Sequence, residues 1–96
     1  MSDSPINITT LLNMYNTTVN PPVSDATGVS NAINWLNIVQ VFCLDNPEEV
    51  PNRDSIIIDC ETYTKDIKVL DTDYAKVNNY VFQIRSKLYA ITQQVQ

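Results

Sequence analysis

From Ile56 onward, apolar side chains recur at alternating steps of four and three: Ile56, Cys60, Tyr63, Ile67, Leu70, Tyr74, Val77, Val81, Ile84, Leu88, Ile91 and Val95. Every slot of that series is filled, in a chain whose hydrophobic share is 44%. A repeat averaging 3.5 residues keeps one seam of a helix turned toward a packing partner, and over many heptads it imposes a left-handed supercoil. The pattern therefore predicts one long helix over about 54–95, with Asp54 or Ser55 as its N-cap. Ordinary bundle helices use the same positions, so the seam specifies helix packing before it specifies a coiled coil.

The flanks of the seam restrict its partner. With Cys60, Ile67, Tyr74, Val81, Leu88 and Val95 at heptad position a, the g positions are Asp59, Asp66, Asp73, Tyr80, Lys87 and Gln94, and the e positions include Asp71 and Arg85. A parallel self-dimer would set Asp66 against Asp71 of its mate, a like-charge contact. An antiparallel arrangement brings the acidic front half against the basic rear half, with Asp59 near Lys87. Such a helix is about 60 Å long. The rest of the chain is too short to cover it, so either another subunit buries the excess or the helix breaks near Asp71-Thr72-Asp73, where Asp or Thr can cap a new helix.

A second reading treats 55–70 as a hairpin. Ile56, Ile58, Cys60, Thr62 and Thr64 also alternate, and the stretch is rich in β-branched residues and Tyr. A turn at Lys65-Asp66 followed by a helix from Asp73 would make an α+β domain. The segment from Tyr74 to Val95 is helical in both readings.

The rest of the chain supports the all-α class. Its single glycine, Gly28, is too few for a sheet protein that leans on positive φ. All five prolines precede residue 52. Residues 1–23 read as a short helix ending near Tyr15, capped by Ser4 or Asn7, then an extended linker through Pro21-Pro22. Residues 24–45 hold a central helix, from about Ser30 to Leu44, with Ser24, Asp25 or Ser30 as its cap. Its polar residues Asn31, Asn34, Asn37 and Gln40 form one narrow stripe, and nearly everything else is apolar. Such a helix is sandwiched between neighbours, or half of its surface meets another chain. Residues 46–53 are a polar turn. The whole is one small helical domain.

The expected packing surface is Trp35, Leu36, Val39 and Phe42 together with Leu70, Val77, Val81, Ile84 and Leu88. The outward aromatics Tyr80, Phe82 and Tyr89 extend a protein interface in the same reading. Val81→Asp should then collapse oligomer size or solubility, whereas Lys76→Asp should do little.

The chemistry the chain lacks narrows its function. There is no histidine, hence no His base, ligand or pH switch. Ser and Thr have no such base to activate them, and one glycine cannot build a phosphate loop. Cys43 and Cys60 sit on apolar faces without cationic neighbours, as buried thiols do. The acids of 45–54 lack the ligand spacing, central Gly and terminal Glu of a calcium loop. No catalytic, cofactor or metal site is expected. The net charge of −5, with nine acids between residues 45 and 73, opposes nucleic-acid binding. No run reaches the length of a membrane span. With no signal-peptide pattern and no disulfide framework, the expected setting is cytoplasmic, or an intracellular or virion assembly.

The expected function is thus non-enzymatic: a subunit of an oligomeric assembly, packing through its C-terminal helix against itself (antiparallel) or another protein. The acidic segment admits a different class, an adaptor or inhibitor, such as a phage-encoded protein, that masks a basic surface. The layout from residue 40 onward, a helix, a turn from Asn46-Pro47-Glu48 to Pro51-Asn52 and a long C-terminal helix, resembles type III secretion needle subunits. It departs from them in the Pro21-Pro22 linker, the two cysteines and extra C-terminal residues. That resemblance implies a helical filament built from hairpins.

Overall fold

A computed structural model describes residues 7–20, 22–67 and 73–94. All of its regular structure is helical: α1 (Ile8–Met14), α2 (Ala26–Asp45), α3 (Arg53–Asp66) and α4 (Tyr74–Gln94), with a π-helical turn over Tyr15–Val19 extending α1. The class is all-α, a helical bundle, in line with the glycine and proline usage. No strand is present among the described residues, and 53–66 is helix, which removes the hairpin alternative.

Helix starts follow local chemistry. The Asn7 side chain accepts a hydrogen bond from the Thr10 amide at 2.9 Å, and Asp25 accepts from the Gly28 amide at 2.8 Å, each satisfying an N–H with no partner inside its helix. Asp25 rather than Ser30 sets the start of α2, so that helix is a full turn longer than expected. Gly28 lies inside it for packing, not for backbone freedom: a Cβ there would stand 3.1 Å from Val23 Cγ1.

Residues 16–19 are not an extended linker. The helix continues through Val19 and ends at Asn20, whose φ of 52° is left-handed. Proline restricts only the residue directly before it, so Pro21 leaves Tyr15–Val19 free to coil, and an Asn tolerates the left-handed exit. Tyr15, Val19 and Val23 are all buried. The chain beyond the exit is clamped to α4 by Asn78, whose Oδ1 accepts from the Val23 amide at 2.7 Å and whose Nδ2 donates to the Val23 carbonyl at 3.1 Å.

The single long helix over 54–95 is corrected. α3 ends at Asp66, Ile67 is extended with ψ 128°, and α4 opens at Tyr74 with Asp73 as its cap, the Asp73 Oδ1 accepting from the Ala75 amide at 3.0 Å. The two pieces fold back on each other. Lys87 on α4 meets Asp59 on α3 and donates to Ser55 Oγ at 3.2 Å. The pairing of Asp59 with Lys87 that the charge pattern favours between chains is made within one. The physical reason is that 3.5-residue spacing marks a helix face turned to a core, and two shorter helices facing the same core carry the same mark as one long helix facing a partner.

α2 is the central element and packs against every other helix. Its buried stripe, Val29, Ala32, Trp35, Leu36, Val39, Phe42 and Cys43, meets Ile56 and Cys60 of α3, Val77, Val81, Ile84, Leu88 and Ile91 of α4, and Leu11 and Tyr15 in one continuous core. Trp35 fills its middle: its indole N–H donates to the Leu11 carbonyl at 2.9 Å, and its ring lies 5.3 Å from that of Tyr15.

Candidate interaction surface

Of the nine residues expected to form a packing surface, Trp35, Leu36, Val39, Phe42, Val77, Val81, Ile84 and Leu88 are buried in the chain's own core. Leu70 lies outside the described residues. A side chain with no solvent exposure in one chain presents nothing to a second, so the surface those eight bury against is their own fold.

Tyr80 also turns inward. Its ring stacks on Tyr63 with centroids 4.0 Å apart and planes 9° from parallel. Its hydroxyl donates to Asp66 Oδ2, and Lys76 Nζ stands 3.3 Å from the same oxygen. The hydrogen bond to the Asp66 carboxylate holds the phenol up at about 12, with burial adding to it. The sequence signal for this contact is a Tyr at a g position and a Tyr in the seam, which fold-back brings face to face.

Several large apolar side chains are exposed. Val41 is 56% exposed, Leu44 60%, Ile58 59% and Phe82 54%, with Tyr74 and Tyr89 also exposed. They fall on two sides of the bundle. Phe82 and Tyr89 share one face of α4 at i and i+7, with Arg85 between them and its guanidinium 4.9 Å from the Tyr89 ring centroid. Phe82 forms one lip of a shallow groove with Tyr15, Pro22, Ala75, Asn78 and Asn79. Val41, Leu44 and Ile58 belong to the outer side of the α2–α3 hairpin. The odd composition of the central helix is thus resolved unevenly: one stripe is core, and the apolar residues behind it stay uncovered.

The acids sort in the same way. Asp59 and Asp66 are engaged by α4, whereas Asp45, Glu48, Glu49, Asp54 and Glu61 are exposed along the α2–α3 hairpin and its turn. Gln40 Nε2 donates to Glu61 Oε2 across the two helices at 3.3 Å.

Both thiols are free and fully buried. Burial pushes the Cys43 thiol up to about 11. Burial, then the neighbouring Cys43 and Asp59, push Cys60 up to about 12, with Lys87 opposing. Thiolate is the reactive form, so both cysteines should react with iodoacetamide at neutral pH only as fast as the chain opens, measured as alkylation rate against urea concentration. The same shifts make stability pH-dependent. A raised pKa means the folded chain holds its proton more tightly. The stabilisation is complete below the ordinary thiol value of 9.0 and is lost as pH rises from there toward about 12. Urea midpoints should therefore begin to fall above pH 9, and Cys60→Ala should flatten the first part of that fall.

No group of three or more potential metal-ligating side chains occurs among the described residues, and no described helix is long and apolar enough to cross a membrane. No family model, curated protein or solved structure matches the chain.

Proposed function

We propose that the chain is a non-enzymatic protein–protein interaction domain, a subunit that joins an intracellular or virion assembly by its outer surface and not by its heptad seam. The observation that carries this reading is the contrast between a closed core and large apolar side chains left more than half exposed on α2, α3 and α4. Exposed apolar patches rimmed by polar residues are a common signature of docking surfaces on soluble domains. The lack of any histidine in the sequence supports a non-catalytic role.

A heteromeric partner is favoured over a second copy. The charge complement that an antiparallel self-pair would use, Asp59 with Lys87, is taken up inside one chain. Two copies meeting through the remaining surface would each bring a net charge of −5. The secretion-needle layout also loses its long C-terminal helix, which is two helices here.

The test is photo-crosslinking in cells that naturally express the chain, with a photoreactive residue at 44, 58 or 82 and at buried position 36 as control. Discrete adducts heavier than the monomer are expected from the exposed positions. Adducts of twice the monomer mass would replace the heteromeric reading with self-assembly. Absence of adducts from every exposed position, at normal protein levels, would overturn the interaction reading.

A further inference from the structure

Provided that the chain is an interaction domain as proposed above, the face of α4 turned away from α3 specifies the partner's chemistry. Ala75, Asn78, Phe82, Arg85 and Tyr89 follow one another at steps of three and four, which places them on one stripe of the helix. At about 100° per residue, that stripe lies about 160° around the axis from Lys76, Tyr80 and Lys87. Those three hold α3, through Asp66, Tyr63 and Asp59. Contacts on the stripe agree with its placement. Ala75, Asn78 and Phe82 line one groove with Asn79, Tyr15 and Pro22, and the two hydrogen bonds from Asn78 to Val23 fix the Pro22 side of it. The groove has a volume of about 560 Å³, within the range of about 300–1,000 Å³ for ligand-sized clefts. Arg85 stands at its end. The guanidinium is 4.9 Å from the Tyr89 ring centroid. Burial raises the Tyr15 phenol above its ordinary value, and the Arg85 charge nearby opposes that rise.

Arg85 is the one cation of the stripe, and among the described residues it has no carboxylate at ion-pair distance. Residues 74–96 contain no acid. The carboxylates that α4 does meet, Asp59 and Asp66, are on its α3 side and are held by Lys87 and Lys76. A guanidinium oriented by an aromatic ring, with its fork unused, is suited to a carboxylate, which it can bind through two parallel hydrogen bonds. We infer that the groove takes an acidic peptide segment of the partner protein, a large apolar side chain resting against Phe82 and Pro22 and a nearby Asp or Glu on Arg85. Phe82 and Arg85 are about 4.5 Å apart along the axis, so an anchor and an acid close together in a peptide reach both. The net charge of −5 opposes an acid only at long range, and at physiological salt charges are screened beyond about 8 Å. A nucleic acid is disfavoured, because phosphate affinity comes from clustered Lys and Arg and the other two bases of α4 are already paired.

The test uses fluorescence anisotropy at about 0.15 M salt with labelled peptides of about 12 residues, which when extended pass the whole stripe of about 21 Å. The first peptide has a central Phe with Asp and Glu on both sides. In one control Ser replaces the Phe, and in another Lys replaces every acid. The first should bind at least about fivefold more tightly than either control, the scale of one anchor or one charge-assisted hydrogen bond. Phe82→Ser and Arg85→Gln should each weaken it by at least about fivefold, whereas Ile58→Ser, an exposed change on α3, should have no effect. Amide shifts in ¹⁵N-labelled protein on adding the peptide should centre on residues 75–89. Equal binding of the three peptides, no binding up to about 1 mM, or shifts centred on α2 and α3 overturns the inference. Tighter binding of a labelled thymidine oligonucleotide than of the acidic peptide would assign the face to nucleic acid. Loss of peptide affinity on concentrating the protein, with a dimer in sedimentation, would assign it to a second copy. Either result overturns the inference. If the peptide fails while crosslinks from position 82 persist, the interaction reading stands and the acidic segment falls.

Discussion

Val81→Asp is expected to leave the chain largely unfolded at neutral pH. Val81 has no solvent exposure, and it lies midway along α4 in the core shared with α2 and α3. An ionised carboxylate placed there loses its hydration and finds no partner, at a cost of several kcal/mol. Stability for a domain of this size is about 5–10 kcal/mol, so a single substitution removes most of it. The pH dependence has a definite sign. A buried Asp has its pKa raised in the folded state, so the variant should be most stable below the ordinary value of about 3.9 and lose stability as pH rises through it. Circular dichroism with urea titration at pH 3 and pH 7 reads both effects. Val41→Asp, the same change on an exposed side chain, should shift stability by less than about 0.5 kcal/mol. Equal tolerance at both positions would mean that α4 does not line the core. Lys76→Asp, expected from the sequence to do little, breaks an ion pair with Asp66 whose side chains are half exposed, and such pairs contribute about 1 kcal/mol at most.

Trp35→Ala should cost about 3–5 kcal/mol, the range for emptying a large aromatic site that cannot collapse. Trp35 is fully buried and ties α2 to the N-terminal segment twice: to α1 through its hydrogen bond to the Leu11 carbonyl, and to the π-helical turn through Tyr15. The Leu11 carbonyl also accepts from the Tyr15 amide, so it keeps a partner when the indole is gone. The loss is therefore one of volume more than of an orphaned acceptor. Trp35→Phe should accordingly recover more than half of the lost stability in urea denaturation, whereas a hydrogen-bond origin would leave it close to Trp35→Ala. The near-ultraviolet dichroism of Tyr15 should weaken in the Ala variant, because its ring loses its packing partner.

Val81 and Trp35 also mark how far the sequence can be read. Both are legible as packing positions, because periodicity reports which face of a helix avoids water. What that face packs against is a different quantity. The seam from Ile56 to Ile91 resembles a surface for a second chain because its length exceeds that of the other helices, yet Ile67 and Asp73 divide it and the halves share one core. A break at Asp71-Thr72-Asp73 is one of two outcomes the residues allow, since Asp can cap a helix or sit mid-helix and composition does not choose. The pairing of Asp59 with Lys87 is legible as chemistry, but its topology, within one chain instead of between two, is not.

The exposed apolar side chains are the least legible part. From Ile38 to Leu44 only Gln40 is polar, so nothing in hydropathy separates Val39, which is buried, from Val41, which is not. Only the position of α3 and α4 does that. The helical turn over Tyr15–Val19 is masked by the Pro-Pro pair, whose influence reaches back a single residue and not across the whole segment. Tyr80 has the spacing of an outward aromatic, and its partner Tyr63 is too distant in sequence for periodicity to pair them.

In this fold α3 and α4 of one chain lie against each other in a shared core. Nuclear Overhauser contacts between the ring protons of Tyr63 and Tyr80, whose centroids are 4.0 Å apart, give the sharpest test. In one continuous helix the same rings would be about 25 Å apart along the axis. The contacts should appear within uniformly labelled protein and vanish in an isotope-filtered experiment on mixed labelled and unlabelled chains. Their absence from the first experiment, or their presence in the second, would contradict the closed fold and return the seam to a partner.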